Sequence, residues 1–458
     1  MPLRQREDEL VCVEGQHDGR GSYGDGDADA IIVGGGPAGA ITARLLARAG
    51  HRVTIVDRAR FPRPKACGDC LSAAATDLLR DLGLLDRVLD AHPAMIHGWT
   101  LVAPGGGTCR GDFPTGPALA LDRHRLDEVL LRSATDAGAR LVHGRVEGLE
   151  AAEGLGAGES PAAGRRGTAG PGTQPVRLVR VRTRHGTRIL RAPLVVGADG
   201  LRSTIAREAN LIRRKPRLRK VSLSTHGRGP PGRMDRGEMH LLDGGCIGIA
   251  PTGQGRFNLT LVVADRHTGE LRRRGPAAFV DAWIRRAHGL GHLLDDTELE
   301  EPFLASGPFD WPVRSPVGPG VALVGDAAGY FDPFTGQGIY QAMEGARRLA
   351  AALAGATDGS PDSAPLVNGR LDRALRRYAR DLHRLKRPAR RVQRLVDVAL
   401  ARPNRADHVI RLLGSAPVAM NRLLEVTGDL RPPRALFSPG VLSSLCVPFL
   451  RRRHDPHR

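Results

Sequence analysis

The hydrophobic pattern near the amino terminus predicts a βαβ unit. Residues 29–33 (Asp-Ala-Ile-Ile-Val) form a short apolar run that is typical of a buried parallel strand. A glycine-rich turn follows, residues 40–49 have the pattern of a helix that ends at Gly50, and residues 52–56 form a second apolar run. The order of strand, glycine turn, helix and strand predicts an α/β fold for the first ordered part of the chain.

The rest of the chain alternates between helical and strand patterns. We predict amphipathic helices over residues 71–90 and 123–137, alternating strands over 141–149 and 176–190, a β-rich segment over about 220–265, a buried strand over 321–324 with a helix from about 337, and basic helices over 370–435. Residues 151–175 are mostly Gly, Ala, Pro and Thr, which predicts a flexible hairpin insertion.

Composition excludes several classes of protein. A chain of 458 residues can bury a large core without disulfides or a structural metal. No uncharged apolar run approaches the roughly 18 residues of a membrane span, which excludes an integral membrane protein. The net charge of +19 suggests a polyanionic partner, but only four of the 68 basic residues are lysine and aromatic residues make up 4%. We attribute this charge to a mutational bias toward GC-rich codons, rather than to selection for nucleic acid binding, and predict no nucleic acid partner.

Cysteine usage and the first 27 residues, which have no apolar signal segment, predict a cytoplasmic protein with free thiols. Cys67-Gly-Asp-Cys70 leaves three interpretations open: a redox dithiol in which Lys65 acidifies a thiol, a single cysteine that lines an active site, or inert packing. We find no second Cys/His pair at zinc-ligand spacing and therefore predict no metal site.

The strongest chemical signal is Gly34-Gly-Gly36-Pro-Ala-Gly39. Glycines at this spacing permit a tight turn and close approach of the backbone to a pyrophosphate, and the following helix supplies free N–H groups and partial positive charge. Asp57 ends the second strand, where a carboxylate can bind an adenosine ribose. Two further tracts, Gly197-Ala-Asp-Gly200 and Gly325-Asp326-Ala-Ala-Gly, also follow strands. The second continues through Gly336-Gln-Gly338-Ile339 into a helix whose N-terminus suits a reduced flavin.

These tracts occur in the order of the FAD-dependent monooxygenases with the p-hydroxybenzoate hydroxylase fold, which the chain resembles over about residues 28–350. Within that superfamily, Arg60-Phe-Pro-Arg-Pro-Lys-Ala-Cys-Gly68 with Leu71-Ser72, and the stretch 332–338, are similar to the geranylgeranyl reductase branch. The resemblance implies an α/β fold with a discontinuous Rossmann-like FAD-binding domain and an inserted β-rich substrate domain. The residue pattern beyond it adds a C-terminal helical region. The expected segments are a disordered 1–27, FAD-binding parts 28–210 and 313–365, substrate domain 211–312 and basic helices 366–458.

The resemblance also implies FAD as the cofactor, with NAD(P)H as a transient electron donor. The residues expected at the cofactor are Gly34, Gly36, Pro37, Ala38, Gly39, Asp57, Arg58, Arg123, Val146, Asp199, Gly200, Gly325, Asp326, Gly338 and Ile339. Arg123 is either the family arginine near the pyrophosphate or a surface helix arginine. Asp199 either serves nicotinamide access or caps a helix. Lys65 and Cys67 are the candidate catalytic residues.

The chain departs from the branch at the expected substrate wall. Prenyl reductases often carry Tyr-x-Trp-x-Phe-Pro where residues 245–251 here read Gly-Cys-Ile-Gly-Ile-Ala-Pro, and the Trp-x-Trp-x-Ile-Pro of flavin halogenases is absent too. Three hypotheses follow: reduction of a C=C bond in a small apolar substrate of prenyl or polyketide type, hydroxylation of an aromatic or polyketide substrate through a C4a-hydroperoxyflavin, or a non-catalytic flavoprotein or lipid-binding module. The apolar tail that ends in Arg451–Arg453 adds an expected peripheral membrane contact.

Overall fold

The computed structural model describes residues 27–452 apart from 115, 152–175, 217–219, 229–234, 292–296, 301, 331, 333, 335, 355–368 and 401, and it leaves out the side chains of 447–452. The predicted disordered segment 1–27 and flexible insertion 151–175 therefore lie outside the described residues, apart from Asp27 and Ala151.

The described residues form strands in four sheets. The strands are β1 (Ala30–Val33), β2 (Val53–Asp57), β3 (Cys70–Leu71), β4 (Ala94–Ile96), β5 (Gly98–Val102), β6 (Thr108–Asp112), β7 (Ala118–Ala120), β8 (Arg140–His143), β9 (Arg145–Ala151), β10 (Arg177–Thr183), β11 (Gly186–Ala192), β12 (Leu194–Gly197), β13 (Lys220–Arg228), β14 (Gly237–Leu242), β15 (Gly245–Gly253), β16 (Arg256–Ala264), β17 (Glu298–Leu299), β18 (Leu304–Ser306), β19 (Val317–Gly318) and β20 (Val321–Leu323).

Helices cover these sheets and dominate the C-terminal part of the chain. The helices are α1 (Pro37–Arg48), α2 (Ala73–Asp81), α3 (Leu85–Leu89), α4 (Arg123–Asp136), α5 (Thr204–Glu208), α6 (Thr268–Arg274), α7 (Pro276–Arg286), α8 (Gly338–Ala354), α9 (Arg370–Leu400), α10 (Pro403–Gly414), α11 (Pro417–Thr427) and α12 (Pro439–Arg452).

The first sheet has the order β19-β20-β12-β1-β2-β8, and its strands are parallel except for β19. Ile32 of β1 pairs with Val196 of β12 on one side and Ile55 of β2 on the other, and all three side chains are fully buried. Strands that are buried on both faces consist of continuous apolar residues. The apolar run of β1 therefore predicts this strand from the sequence alone. Helix α1 connects β1 to its parallel neighbour β2, so the predicted βαβ unit is confirmed. Helix α1 packs against α4 and α8.

The second sheet has the order β17-β13-β16-β15-β14-β5-β6, with β18 beside β13. Strands β13–β16 confirm the predicted β-rich segment, and Phe279 and Trp283 of α7 belong to the apolar core against this sheet. Strands β5 and β6 join the same sheet although they fall inside residues 28–210, which we assigned to the FAD-binding domain. They do so because β5 pairs in parallel with β14, with Leu101 beside Met239, and such a long-range pairing leaves no local pattern.

The single helix predicted over residues 71–90 is wrong. Leu71 lies in β3, which pairs with β7, and two separate helices, α2 and α3, follow it. Gly83 between them has a φ of +65°, a left-handed conformation that ends α2.

The basic C-terminal helices are amphipathic. Helix α9 buries Leu375, Tyr378 and Leu382, packs against α8 and leaves most of its arginines exposed. The Tyr378 hydroxyl donates a hydrogen bond of 2.6 Å to the Leu323 carbonyl oxygen in β20, so α9 supports the first sheet. No helix in the described part of the chain is both long enough and apolar enough to cross a bilayer. Phe437 and Leu442 are exposed, and the expected membrane contact stays a prediction.

Candidate active site

A cavity of about 1060 Å³ opens between the first and second sheets. The carboxyl ends of parallel strands line it at one end: Gly34 follows β1, Asp57 ends β2, Asp199 follows β12 and Asp326 follows β20. Ligands of open α/β sheets bind at this edge. Every predicted cofactor residue lines the cavity except Gly39, and so do Lys65 and Cys67.

The glycine turn brings backbone to the cavity wall. Gly34 has a φ of +105°, and a Cβ atom there would lie 2.4 Å from the Ala198 carbonyl oxygen. A Cβ atom on Gly39 would lie 1.8 Å from the Gly34 carbonyl oxygen, so Gly39 serves the packing of α1 rather than the cavity surface. Gly36 is the N-cap of α1 without a side-chain cap, so the first-turn N–H groups stay available to an anion.

Two arginines stand beside this helix terminus. Arg123 makes a bidentate ion pair of 2.7 and 2.8 Å with the buried Asp127, and Arg63 approaches the same carboxylate at 3.3 Å. Burial alone would lower the pKa of Arg123, but the Asp127 carboxylate raises it above its ordinary value, so the guanidinium stays charged. The Arg123 side chain is 10% exposed, which excludes the alternative of a surface arginine.

Two predicted carboxylates are engaged with the backbone. Asp57 accepts hydrogen bonds from the N–H groups of Gly35 (2.7 Å) and Ala59 (2.8 Å), and its contact with a ribose stays a prediction. Asp199 accepts from the Ser203 hydroxyl at 2.5 Å and from the Thr204 N–H at 2.6 Å. Asp199 therefore helps to cap α5, whose N-cap residue is Ser203. Its carboxylate also lines the cavity, and nicotinamide access stays a prediction.

A buried lysine that we did not predict supports the turn that carries Asp326. Lys386 of α9 donates hydrogen bonds to the carbonyl oxygens of Gly325 (2.8 Å) and Gly329 (2.7 Å). Burial lowers the pKa of Lys386 to about 7, with the nearby Asp326 opposing this shift. Sixty-one residues separate Lys386 from Gly325, so only the fold reveals this contact.

Replacing Lys386 by Met should remove a pH dependence of stability. The folded-state pKa of about 7 lies below the ordinary 10.5, so between these values the unfolded chain binds more protons and the stability contribution of Lys386 rises with pH. Urea unfolding measures the free energy of unfolding of wild type and Lys386→Met at pH values of about 7 and about 10. The stability of wild type relative to the variant should be greater at the higher pH. The exposed Lys215→Met variant should show no such growth. A difference for Lys386→Met that is flat across the range would contradict this assignment.

The two cysteines line the cavity as free thiols. Burial raises the pKa of both thiols, which is opposite to the acidification that we expected from Lys65. The Cys70 thiol donates to the Gly68 carbonyl oxygen at 3.1 Å, and Cys67 lies against the Arg123 guanidinium. The Lys65 side chain lines the cavity. Desolvation by the surrounding protein, and then the positive charge of Arg123, lower the pKa of its ammonium group. A thiolate-based dithiol is therefore not supported.

The opposite end of the cavity is apolar. Small residues of β15 form one wall, as the stretch 245–251 predicted: Cys246, Gly248 and Ala250. Larger side chains from the second sheet and from the C-terminal helices complete it, namely Trp99, Leu101, Met239, Val262, Leu400, Ile410, Leu413 and Leu424. Sequence reasoning missed the contribution of α9, α10 and α11, whose arginines suggested only a solvated surface.

The residues at the strand end of the cavity fit FAD. Three features suit a diphosphate: a glycine turn, an uncapped helix N-terminus and two guanidinium groups. In that turn, a Cβ atom added at Gly34 or Gly39 would collide with the backbone. The turn at Asp326 and the N-terminus of α8 at Gly338 suit the flavin end, and the volume accommodates a large cofactor together with a substrate.

The profile of the FAD binding domain family matches residues 27–376, well over half of the chain. The chain belongs to this family. FAD is the cofactor, NAD(P)H is the typical electron donor of such enzymes, and the protein is an FAD-dependent oxidoreductase.

Two curated relatives have names that fit this class, and a solved structure shares the fold. Over 349 residues, the chain is 30% identical to a menaquinone reductase from Mycobacterium tuberculosis, covering 73% of this chain and 78% of that protein. It is 28% identical over 371 residues to digeranylgeranylglycerophospholipid reductase 2 from Methanopyrus kandleri, covering 75% and 81%. The structure of PqsL, described as a probable FAD-dependent monooxygenase from Pseudomonas aeruginosa, has a TM-score of 0.63 with 22% identity and coverages of 84% and 100%, which shows the fold alone.

Proposed function

We propose that this protein is an NAD(P)H-driven, FAD-dependent reductase that reduces a C=C bond of an apolar substrate of prenyl or polyketide type. The observation that carries the proposal is the continuity of the cavity, which joins the FAD end to an apolar end. Transfer of an apolar chain from water to such a wall is favourable. Few polar groups at this end would lose hydrogen bonds to water when the chain binds. The two relatives named as reductases support the same class of reaction.

When bound and reduced by NAD(P)H, FAD would supply the hydride that the reduction needs. The protein's own residues would hold the cofactor by its diphosphate at Gly36 and Arg123, position its flavin end at Asp326 and exclude water with the side chains of α10 and α11. The second carbon of the bond needs a proton, which a residue of the cavity must supply.

Hydroxylation is the second candidate. The observation that favours it is the absence of aromatic side chains from residues 245–251 of β15, where prenyl reductases often carry them. A wall of Cys246, Gly248 and Ala250 leaves room for a broad ring system. The two candidates differ in whether the product gains hydrogen or oxygen.

One experiment distinguishes the candidates. The holoprotein is reduced with NADPH or NADH under nitrogen and mixed with a polyprenyl menaquinone in detergent. The mass of the product is then measured by mass spectrometry after exposure to air. Air returns a quinol to a quinone, so two added hydrogens that persist mark side-chain reduction. A product heavier by one oxygen, formed only when oxygen is admitted early, marks hydroxylation. FAD that neither nicotinamide reduces would support the non-catalytic hypothesis and contradict both candidates.

Narrowing the apolar end should slow the substrate step alone. A Cβ atom on Gly248 would have only ordinary contacts, 3.5 Å from the Met239 methyl carbon, so Gly248→Phe is compatible with the fold and places a ring in the cavity. We expect FAD affinity and the rate of FAD reduction to stay within about twofold, while reoxidation by the substrate falls about tenfold or more, the size of a lost apolar contact surface. Equal substrate rates in Gly248→Phe and wild type would place the substrate elsewhere.

A further inference from the structure

A buried polar cluster joins the cavity wall between the two cysteines. Asp69 is 1% exposed and lines the cavity. Its Oδ2 accepts a hydrogen bond of 2.8 Å from Asn258 and lies 2.6 Å from Nε2 of His226. Its Oδ1 is buried without a hydrogen-bond partner in the described part of the chain. A buried oxygen in this state is costly unless it carries a proton or meets a ligand.

His226 connects Asp69 to a second carboxylate. The same Nε2 lies at an ion-pair distance of 2.8 Å from Oδ1 of Asp122, which accepts no hydrogen bond from the described residues. The Oδ2 atom of Asp122 accepts a hydrogen bond of 2.8 Å from Arg256. His226 is not among the described residues that line the cavity, and its side chain is 21% exposed. The cluster therefore runs from a buried carboxyl at the cavity to an imidazole that reaches water.

Charged groups on the neighbouring elements act on Asp69 and His226. Arg123 and Arg256 contribute positive charge, His124 lies 3.7 Å from Asp122, and Glu300 pairs with Arg256. Burial raises the pKa of Asp69 above its ordinary value. Burial alone would lower the pKa of His226, but the two carboxylates raise it to about 9. The imidazole thus stays protonated at neutral pH, and burial favours the protonated form of the neighbouring Asp69 carboxyl.

We propose that Asp69 is the acid that protonates the substrate carbon, and that His226, held by Asp122, is the positioning residue that returns a proton to Asp69 from solvent. The proposal rests on the proposed reductase function, which leaves one proton to be supplied.

The step balances in atoms and electrons. One carbon of the C=C bond would receive a hydride, with its electron pair, from the bound cofactor that NAD(P)H reduces. The π electron pair of that bond forms the second C–H bond with the Asp69 proton. The electron pair of the broken O–H bond stays on the Asp69 carboxylate. The Nε2 proton of His226 then restores the carboxyl, and His226 takes a proton from water.

The test separates proton supply from every other step. Asp69→Asn keeps the size of the side chain but carries no acidic proton. We expect FAD binding and reduction by NAD(P)H within about twofold of wild type, and substrate reduction at least about a hundredfold slower, the contribution of a general acid. His226→Gln should slow the substrate step about tenfold, at the low end of such contributions. The matched control is His240→Gln, which removes another histidine–carboxylate pair (2.9 Å to Glu238) from the same sheet and should leave the rate unchanged.

One readout moves only if His226 relays protons, and a second tests the His226–carboxylate cluster itself. The rate of substrate reduction in wild type should decline as pH rises through about 9, and His226→Gln should lack that decline. NMR titration of the histidines in the holoprotein should show one imidazole with a pKa near 9, and the Asp69→Asn substitution should lower that pKa. This titration needs no substrate, so it tests the cluster even if Asp69→Asn does not fold or the wild type reduces no C=C bond.

The outcomes keep the two proposals apart. An inactive wild type with a His226 that titrates near 9 contradicts the reductase function but not the cluster. An active wild type whose rate Asp69→Asn retains, or a His226 that titrates near its ordinary 6.5, overturns the relay alone. A substrate step that requires an added divalent cation would also overturn it, since Asp69, Asp122 and His226 would then serve a metal.

Discussion

Gly36→Val should lower FAD affinity about a hundredfold, which corresponds to about 3 kcal/mol. Gly36 has a φ of −72° and an extended ψ, a conformation that Val adopts without strain. The nearest atom to an added Cβ is a guanidinium nitrogen of Arg63 at 3.4 Å, the end of a flexible side chain. The fold should therefore survive, whereas two methyl groups would cover the helix N-terminus that suits the diphosphate.

Flavin fluorescence titration of the apoprotein measures this effect. Gly440→Ala in α12 is the matched control, because a Cβ atom there meets nothing within 4 Å and Gly440 is not among the residues that line the cavity. The control should bind FAD like wild type and unfold at the same urea concentration. Unchanged affinity in a folded Gly36→Val protein would place the diphosphate away from α1.

Arg123→Met should strongly destabilise the folded protein. Among the described residues, the substitution leaves the fully buried Asp127 carboxylate with one ion pair, the 3.3 Å contact to Arg63. Loss of one partner from a buried ion pair costs about 3–5 kcal/mol, and the remaining arginine places the expected loss near about 3 kcal/mol. Urea unfolding of the apoprotein measures it.

The double variant Arg123→Met/Asp127→Leu separates stability from cofactor binding. With neither charge left alone in the interior, most of the stability should return. FAD affinity should stay at least about tenfold weaker than in wild type, since a charged hydrogen bond to the diphosphate is lost. A double variant that regains both properties would show that Arg123 only balances Asp127 and does not meet the cofactor.

Local patterns predicted the first sheet and the cofactor end of the site. A strand such as β1 is apolar at every position, and the glycine turn directly follows it, so its place at a strand end could be predicted without knowledge of the fold. The same reasoning placed Asp57, Asp199 and Asp326 at the carboxyl ends of neighbouring strands.

Contacts between distant segments could not be predicted in this way. Asp69 and His226 are 157 residues apart, and each has an ordinary local context, one in a loop and one in a strand. The local pattern does not distinguish His226 from any other residue of a strand, and only the packing of β13 beside the loop at Asp69 reveals the pair. Leu413 and Leu424 likewise lie on helices whose basic residues obscured an apolar face, and only the packing of these helices onto the second sheet reveals the cavity wall.

A crystal structure of the holoprotein with FAD tests the central claim most directly. We predict the diphosphate within hydrogen-bond distance of the first-turn N–H groups of α1, with the ring system between Cys67 and the turn at Asp326, and the apolar end of the cavity free for substrate. FAD seated with its ring system away from this cavity, or protein that stays colourless at saturating FAD, would contradict the account.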